Sequence, residues 1–144
     1  MWVLAASLLA GAEPPAAQLS IVQADNAPAR VEAAAIEAGS STGLRVRFVV
    51  TNSRQQRIDR LIVVAATVNA AQEVTSTRMQ AIEDVIDGRG REELFVVFPG
   101  LSPTAGERCV FGIQAVGWSN GTEWRGVLRL VPGAATVAKK TVSD

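Results

Sequence analysis

The stretch Trp118-Ser119-Asn120-Gly121-Thr122-Glu123-Trp124 decides the fold. Asn-Gly supplies the two residues that tolerate positive φ in a type I′ turn, so the chain reverses there and two strands pair across it. The run before it, Arg108 to Gly117, has the apolar and β-branched content of a long strand, and Thr122 to Val131 supplies its partner. With Asn120 and Gly121 as the loop, Ser119 faces Thr122, Gly117 faces Trp124, Ala115 faces Gly126, Ile113 faces Leu128 and Phe111 faces Leu130. That register turns Trp124 into the core, where Gly117 and Gly126 leave room for an indole. It turns Trp118, Glu123, Arg125 and Arg129 to the opposite face, with Trp118 across from Glu123 and diagonal to Arg125, so that a guanidinium can lie over the indole. Two readings of that face stand: a sealed sheet surface, or a recognition patch built from the residue types most enriched at binding hot spots.

Upstream of the hairpin, apolar and β-branched runs recur between turn signals at Val31 to Ala38, Leu44 to Thr51, Ile58 to Val68, Met79 to Ile86 and Glu92 to Phe98. With the hairpin they make about seven strands, which predicts an all-β, immunoglobulin-like antiparallel β-sandwich. Alternation is clearest at Leu44, Val46, Phe48 and Val50, which share one face, against Arg45, Arg47 and Thr51 on the other. Leu61 to Ala66 is apolar at every position, as expected of a central strand covered on both sides or of one facing a partner, a second copy included. Thr77 to Gly88 is read as a strand or irregular segment, although Met79, Ile82, Val85 and Ile86 also fit helical spacing.

The 144 residues make one domain. Residues 1–12 are apolar and end in Ala10-Gly11-Ala12, the small-residue pattern of a signal-peptide cleavage site, although no positively charged residue precedes the apolar run. Glu13 then starts the mature chain, residues 13–29 form a linker with a short first strand at Leu19 to Gln23, the folded domain occupies 30–132, and 133–144 is a mobile tail. The expectation is an exported protein, periplasmic or extracellular, with no membrane span, because the apolar run is too short to cross a bilayer. Cys109 is the only cysteine, so no intrachain disulfide forms, and its apolar surroundings mark it as a small buried hydrophobe. Fourteen basic and fourteen acidic residues cancel, which argues against nucleic acid as a partner.

The chain contains no histidine and no tyrosine. That removes the commonest general base, the commonest zinc ligand and any Ser-His-Asp or Cys-His centre. Glu83, Asp84, Asp87, Glu92 and Glu93 gather around Gly88-Arg89-Gly90, but a turn explains them without a glycosidase carboxylate pair. Asp84 and Asp87 also lack the alternating ligands and distal glutamate of a calcium loop. Gly88, Gly90, Gly100 and Gly106 do not assemble a phosphate loop, since no Gly-Lys-Ser/Thr follows them. No catalytic residue, metal or cofactor is expected. Asn120-Gly121-Thr122 matches a glycosylation sequon, which the turn already accounts for.

Phe48-Val49-Val50-Thr51-Asn52-Ser53 followed by Ile58, and later Ile113 through Trp124, resembles small exported bacterial domains with an immunoglobulin-like or fibronectin-III-like sandwich. Their pattern has a V-T-N-x-S…I strand pair early and a V-x-F-x-D-G-T-x-W hairpin late. Here Trp118 replaces the usual phenylalanine and Asn120 the usual aspartate. The resemblance covers about residues 31–131 and implies an accessory, adhesive or assembly module with no catalytic residues to carry over. The expected function is a non-catalytic module binding an envelope or secreted protein through Trp118, Glu123, Arg125 and Arg129 or through an edge strand. A carbohydrate-binding module stacking a sugar on Trp118 is the alternative from another class, and a purely structural, self-associating domain is a third.

Overall fold

The computed structural model describes residues 19–37, 43–84, 86–104, 106–126, 128 and 141–142. Among them run nine strands: β1 (Leu19–Val22), β2 (Ala29–Glu37), β3 (Gly43–Asn52), β4 (Ile58–Val68), β5 (Val74–Ile82), β6 (Arg91–Pro99), β7 (Arg108–Trp118), β8 (Glu123–Arg125) and β9 (Thr141–Val142). One sheet has the order β2-β3-β6; the other has the order β5-β4-β7-β1-β9, with β8 also paired to β7. A single apolar cluster draws on both, with Val46, Phe48, Val50 and Phe98 from the first sheet meeting Leu61, Val63, Phe111 and Trp118 from the second. Phe111 bridges them, its ring centroid 4.9 Å from Phe48 and 6.1 Å from Phe98 in tilted and edge-on contacts. The two sheets therefore pack face to face as a β-sandwich, as the spacing of strands and turns predicts.

In β3 the period-two pattern is carried through: Leu44, Val46, Phe48 and Val50 are buried while Arg45 and Arg47 are exposed. The outer side of this sheet is laced with ion pairs. Arg45 Nε lies 2.9 Å from Glu37, and Arg47 lies 3.6 Å from Glu37 and 3.9 Å from Glu93. The Arg45 guanidinium also sits 5.1 Å from the ring centroid of Phe95. A bulge in β2 between Val31 and Ala33 lets Glu32 accept from the Thr51 hydroxyl and from Arg91 Nε at 2.8 Å. Such solvent-facing pairs each add little stability, but they keep this face wet.

β4 is apolar from Leu61 to Ala66 because it is a central strand. Leu61, Val63 and Ala65 enter the shared core, while Val64, Ala66 and Val68 join Val22, Val74 and Val110 in a second cluster on the far side of the sheet, against which Leu128 packs. Of the two readings of Leu61 to Ala66, the central strand is the one realised, with Val63 to Ala66 buried and Ile62 half-buried. Of the segment Thr77 to Gly88, read as a strand or irregular, Thr77 to Ile82 lies in β5, Ile86 forms an isolated bridge to Ile58, and Val85 lies outside the described residues.

The sandwich departs from the purely antiparallel expectation at β1, which lies parallel to β7 with Ile21 opposite Phe111. Ile21 is buried in the core, and next to it the buried Gln23 amide donates to Val31 O at 3.4 Å and accepts from Val31 N at 3.0 Å. The short first strand expected at Leu19 to Gln23 is thus paired into the sheet over Leu19 to Ile21. At the other end, Thr141 and Val142, within the segment read as a tail, pair with Val22 and Ile21. Residues 1–18, which hold the signal-like segment, lie outside the described residues, as do 129–140.

A polar latch closes the loop before β7. Glu107 Oε1 accepts from Thr104 N at 2.9 Å and from its hydroxyl at 3.0 Å, and Oε2 accepts from the Thr75 hydroxyl at 2.6 Å. The Thr104 backbone bond, then the Thr75 hydroxyl, hold this carboxyl below its ordinary value of 4.5. A depressed folded value means the contribution is complete above the unfolded value and is lost as pH falls through the folded one. Urea midpoints measured between about pH 7 and about pH 3 should therefore fall on acidification, and Glu107→Gln should flatten part of that slope. An identical acid slope in Glu107→Gln would remove the latch from the account. Two residues on, Cys109 is fully buried, and burial followed by the nearby Glu107 charge pushes its thiol up to about 11, which keeps it protonated and inert.

Candidate functional site

The hairpin closes one residue wider than a type I′ turn. Trp118 N donates to Thr122 O at 2.9 Å and Gly121 N to Trp118 O at 3.0 Å, so the loop is Ser119 to Gly121. Gly121 takes the left-handed position at φ +88, and Asn120 does not adopt positive φ. The asparagine is used differently: its Oδ1 accepts from Thr122 N at 3.0 Å and from the Thr122 hydroxyl at 2.6 Å. Three-residue loops ending in a left-handed glycine are the next commonest hairpin closure after the two-residue types.

The consequence is a slip of one residue. Val116 pairs with Trp124, Gly117 with Glu123 and Ala115 with Arg125, where the two-residue loop would have set Gly117 opposite Trp124. A one-residue slip exchanges faces. β7 adds a second exchange, because Val63 pairs with Ile113 and Ile62 with Ala115, leaving Gln114 as a bulged extra residue. Its inward side chains are Cys109, Phe111 and Ile113 before the bulge, and Val116 and Trp118 after it.

Trp118, expected on the outer face, is therefore in the core at 7% exposure. The guanidinium over its ring is that of Arg54 from the β3–β4 loop, at 5.8 Å, and not that of Arg125. Arg125 instead pairs with Glu123 at 3.2 Å, and both side chains stand on the outer side of β8. Of the four residues expected to form one patch, Glu123 and Arg125 are brought together, Trp118 is withdrawn beneath them, and Arg129 lies outside the described residues.

Trp124 is half-buried and packs against the core cluster. Its ring lies over Gly126, where an added Cβ would come within 2.7 Å of Cη2. The expected volume compensation is thus supplied by Gly126. Gly117 instead faces Arg60 on β4. Gly126 is held from both ends by the bulged residue: its N donates to Gln114 O at 2.8 Å, and the Gln114 amide donates to Gly126 O at 2.7 Å. Gly126→Ala should displace the indole, and the Trp124 fluorescence maximum should move with no change at Trp118. An unchanged spectrum would mean the ring is not seated on residue 126.

β8 has a cleft on each flank. One, of ≈450 Å³, lies between the arm and the β1–β2 turn and is lined by Gln23, Asp25, Asn26, Trp124, Arg125 and Leu128. The other, of ≈350 Å³, is bounded by Asp59, Arg60, Glu83, Trp118, Thr122 and Glu123. Asp59 is itself a bulged residue, between Ile58 opposite Trp118 and Arg60 opposite Gly117. Its Oδ1 has no hydrogen-bond partner and lies 3.5 Å from Arg57 Nε. Among the described residues no three His, Cys, Asp or Glu side chains gather as a metal group. Sequence reasoning had no signal for the first cleft except Gly126 beside Trp124, because the β1–β2 turn reaches it from across the fold. No known protein family, curated protein or solved structure matches the chain.

Proposed function

We propose that this chain is a non-catalytic, exported module that binds an envelope or secreted macromolecule through the β8 arm. One observation carries the reading: a three-residue arm presents an exposed ion pair, Glu123–Arg125, with a cleft on each flank. Farther along β4 and β7, Val64, Ala66, Val68 and Val110 belong to a buried apolar cluster. Arginine beside aromatic rings is the composition that dominates binding hot spots. The lack of histidine and tyrosine favours binding over catalysis, and residues 1–12, ending in Ala10-Gly11-Ala12, favour export.

The immunoglobulin-like reading has support from connectivity. With β2 to β8 lettered A to G, the sheets are A-B-E and D-C-F-G. The constant-type immunoglobulin arrangement is A-B-E-D against C-F-G, so the two differ in the sheet joined by the fourth strand. In such sandwiches, binding loops cluster at the ends of the sheets. Here the β3–β4, β5–β6 and β7–β8 connections meet at one end, where Arg89 N donates to Arg54 O and Ser119 N to Arg57 O.

The test is affinity capture from the envelope and secreted fractions of the source organism, with wild type beside Arg125→Ala and Glu123→Ala. A partner retained by wild type and depleted about tenfold or more by Arg125→Ala supports the arm as the binding surface. The same proteins in all three lanes would reject it.

A further inference from the structure

The cleft between β8 and the β1–β2 turn has the composition of a saccharide subsite, and we propose that it takes a neutral pyranose unit of a glycan. The inference rests on the reading of the β8 arm as the binding surface. A pyranose presents an apolar C–H face and a rim of hydroxyls, so its subsite needs an aromatic ring together with planar donors and acceptors at fixed positions. Trp124 supplies the ring, and the ring is held in place: a Cβ built at Gly126 would meet Cη2 at 2.7 Å, Cζ2 at 3.3 Å and the Ala24 methyl at 3.2 Å. The absence of a side chain at 126 thus makes the seat for the indole, and the half-buried ring forms part of the cleft wall.

The rim is polar in the way hydroxyls require. Asn26 brings an amide that both donates and accepts, Asp25 a carboxylate that accepts, and Arg125 a guanidinium that donates. One acid, Asp25, and one base, Arg125, line the cleft, so its lining carries no net charge. A neutral ligand suits that balance better than a phosphate or a uronic acid. The ≈450 Å³ volume lies within the range of small-ligand clefts. A peptide adding as a strand is less well served, because β8 has three residues, short of an ordinary strand. Trp118, buried at 7% exposure, does not offer the stacking surface that Trp124 does.

The experiment tracks the indole N–H resonances of the full ¹⁵N-labelled chain, assigned with Trp124→Phe, during titration with chitotriose, cellotriose and maltotriose to millimolar concentration. At least one trisaccharide should shift the Trp124 resonance saturably while leaving Trp118 in place, and Asn26→Ala should weaken that binding about tenfold without moving the melting temperature. No Trp124 shift with any of the three, or equal affinity in Asn26→Ala, overturns the inference. A parallel capture with the fraction treated with periodate, which cleaves sugar diols, separates the two claims. A partner kept after periodate and lost with Arg125→Ala leaves the arm as a binding surface and removes the sugar; no Arg125-dependent partner from the untreated fraction removes the arm.

Discussion

Replacing Trp118 by alanine should lower the unfolding free energy by about 3–5 kcal/mol, the cost of truncating a large aromatic in a packed core. The indole is 7% exposed, belongs to the cluster that joins the two sheets, and faces Ile58 across the β4–β7 pair. An indole stacked on the outside of a sheet would lose far less, within about 0.5–1 kcal/mol. Urea denaturation distinguishes the two placements directly, with Arg125→Ala as the control. Arg125 is 64% exposed in its side chain, so its removal should change stability by no more than about 0.5 kcal/mol. A small loss at Trp118 matching that at Arg125 would return the tryptophan to the surface.

Asn52→Ala should be nearly as damaging, at about 3 kcal/mol. The side chain is fully buried at the end of β3 and works as a staple. Its Nδ2 lies 2.6 Å from Gln56 O, 3.1 Å from Asp87 O and 3.3 Å from Ile86 O, and its Oδ1 accepts from Arg54 N at 3.0 Å. Two loops far apart in sequence are fastened to one residue. Truncation strands the buried Ile86 carbonyl and three part-buried backbone groups, each at about 1–3 kcal/mol when it finds no water. Asn52→Asp keeps the shape but sets a carboxylate against carbonyl oxygens, an environment that raises its folded pKa. A raised acid destabilises above its folded pKa and is relieved as pH falls through it, so Asn52→Asp should gain relative to wild type on acidification. Equal midpoints for wild type and Asn52→Ala would show that the loops close without the staple.

The asparagine stands in the Val50-Thr51-Asn52-Ser53 run that the family resemblance singles out, yet nothing in the local sequence tells that its amide is buried. The partners, Ile86 and Asp87, come from a turn about 35 residues on. Legibility divides along the same line between local and non-local causes. Period-two alternation in β3 is a local property, and it placed Leu44, Val46, Phe48 and Val50 in the core. The unbroken apolar run in β4 marked a strand covered on both sides. Bulges carry no comparable mark: Gln114 and Asp59 look like ordinary strand residues, and each reverses the facing of the strand residues beyond it. Asn-Gly likewise suits more than one loop length, so the turn was legible and its register was not.

The same limit governed the site. Glu123 and Arg125 are two apart on one strand, and any register sets them on one face. Trp118 lies across the loop, so its side depends on the loop length and on the Gln114 bulge together. Asp25 and Asn26 reach the β8 arm only because β1 lies parallel to β7, a placement that a four-residue strand in a stretch rich in Ala, Pro and Asn does not announce.

The most direct test is the register of the β7–β8 hairpin, because it decides which side chains the arm offers to a partner. In an antiparallel pair the residues opposite each other without mutual hydrogen bonds bring their Hα atoms close together, and the three-residue loop makes Gly117 and Glu123 such a pair. A strong Hα–Hα nuclear Overhauser effect between Gly117 and Glu123, repeated between Ala115 and Arg125, is the result expected. A pattern shifted to Gly117 opposite Trp124 would restore the two-residue turn, undo the facing of Glu123 and Arg125, and contradict the binding surface proposed for the arm.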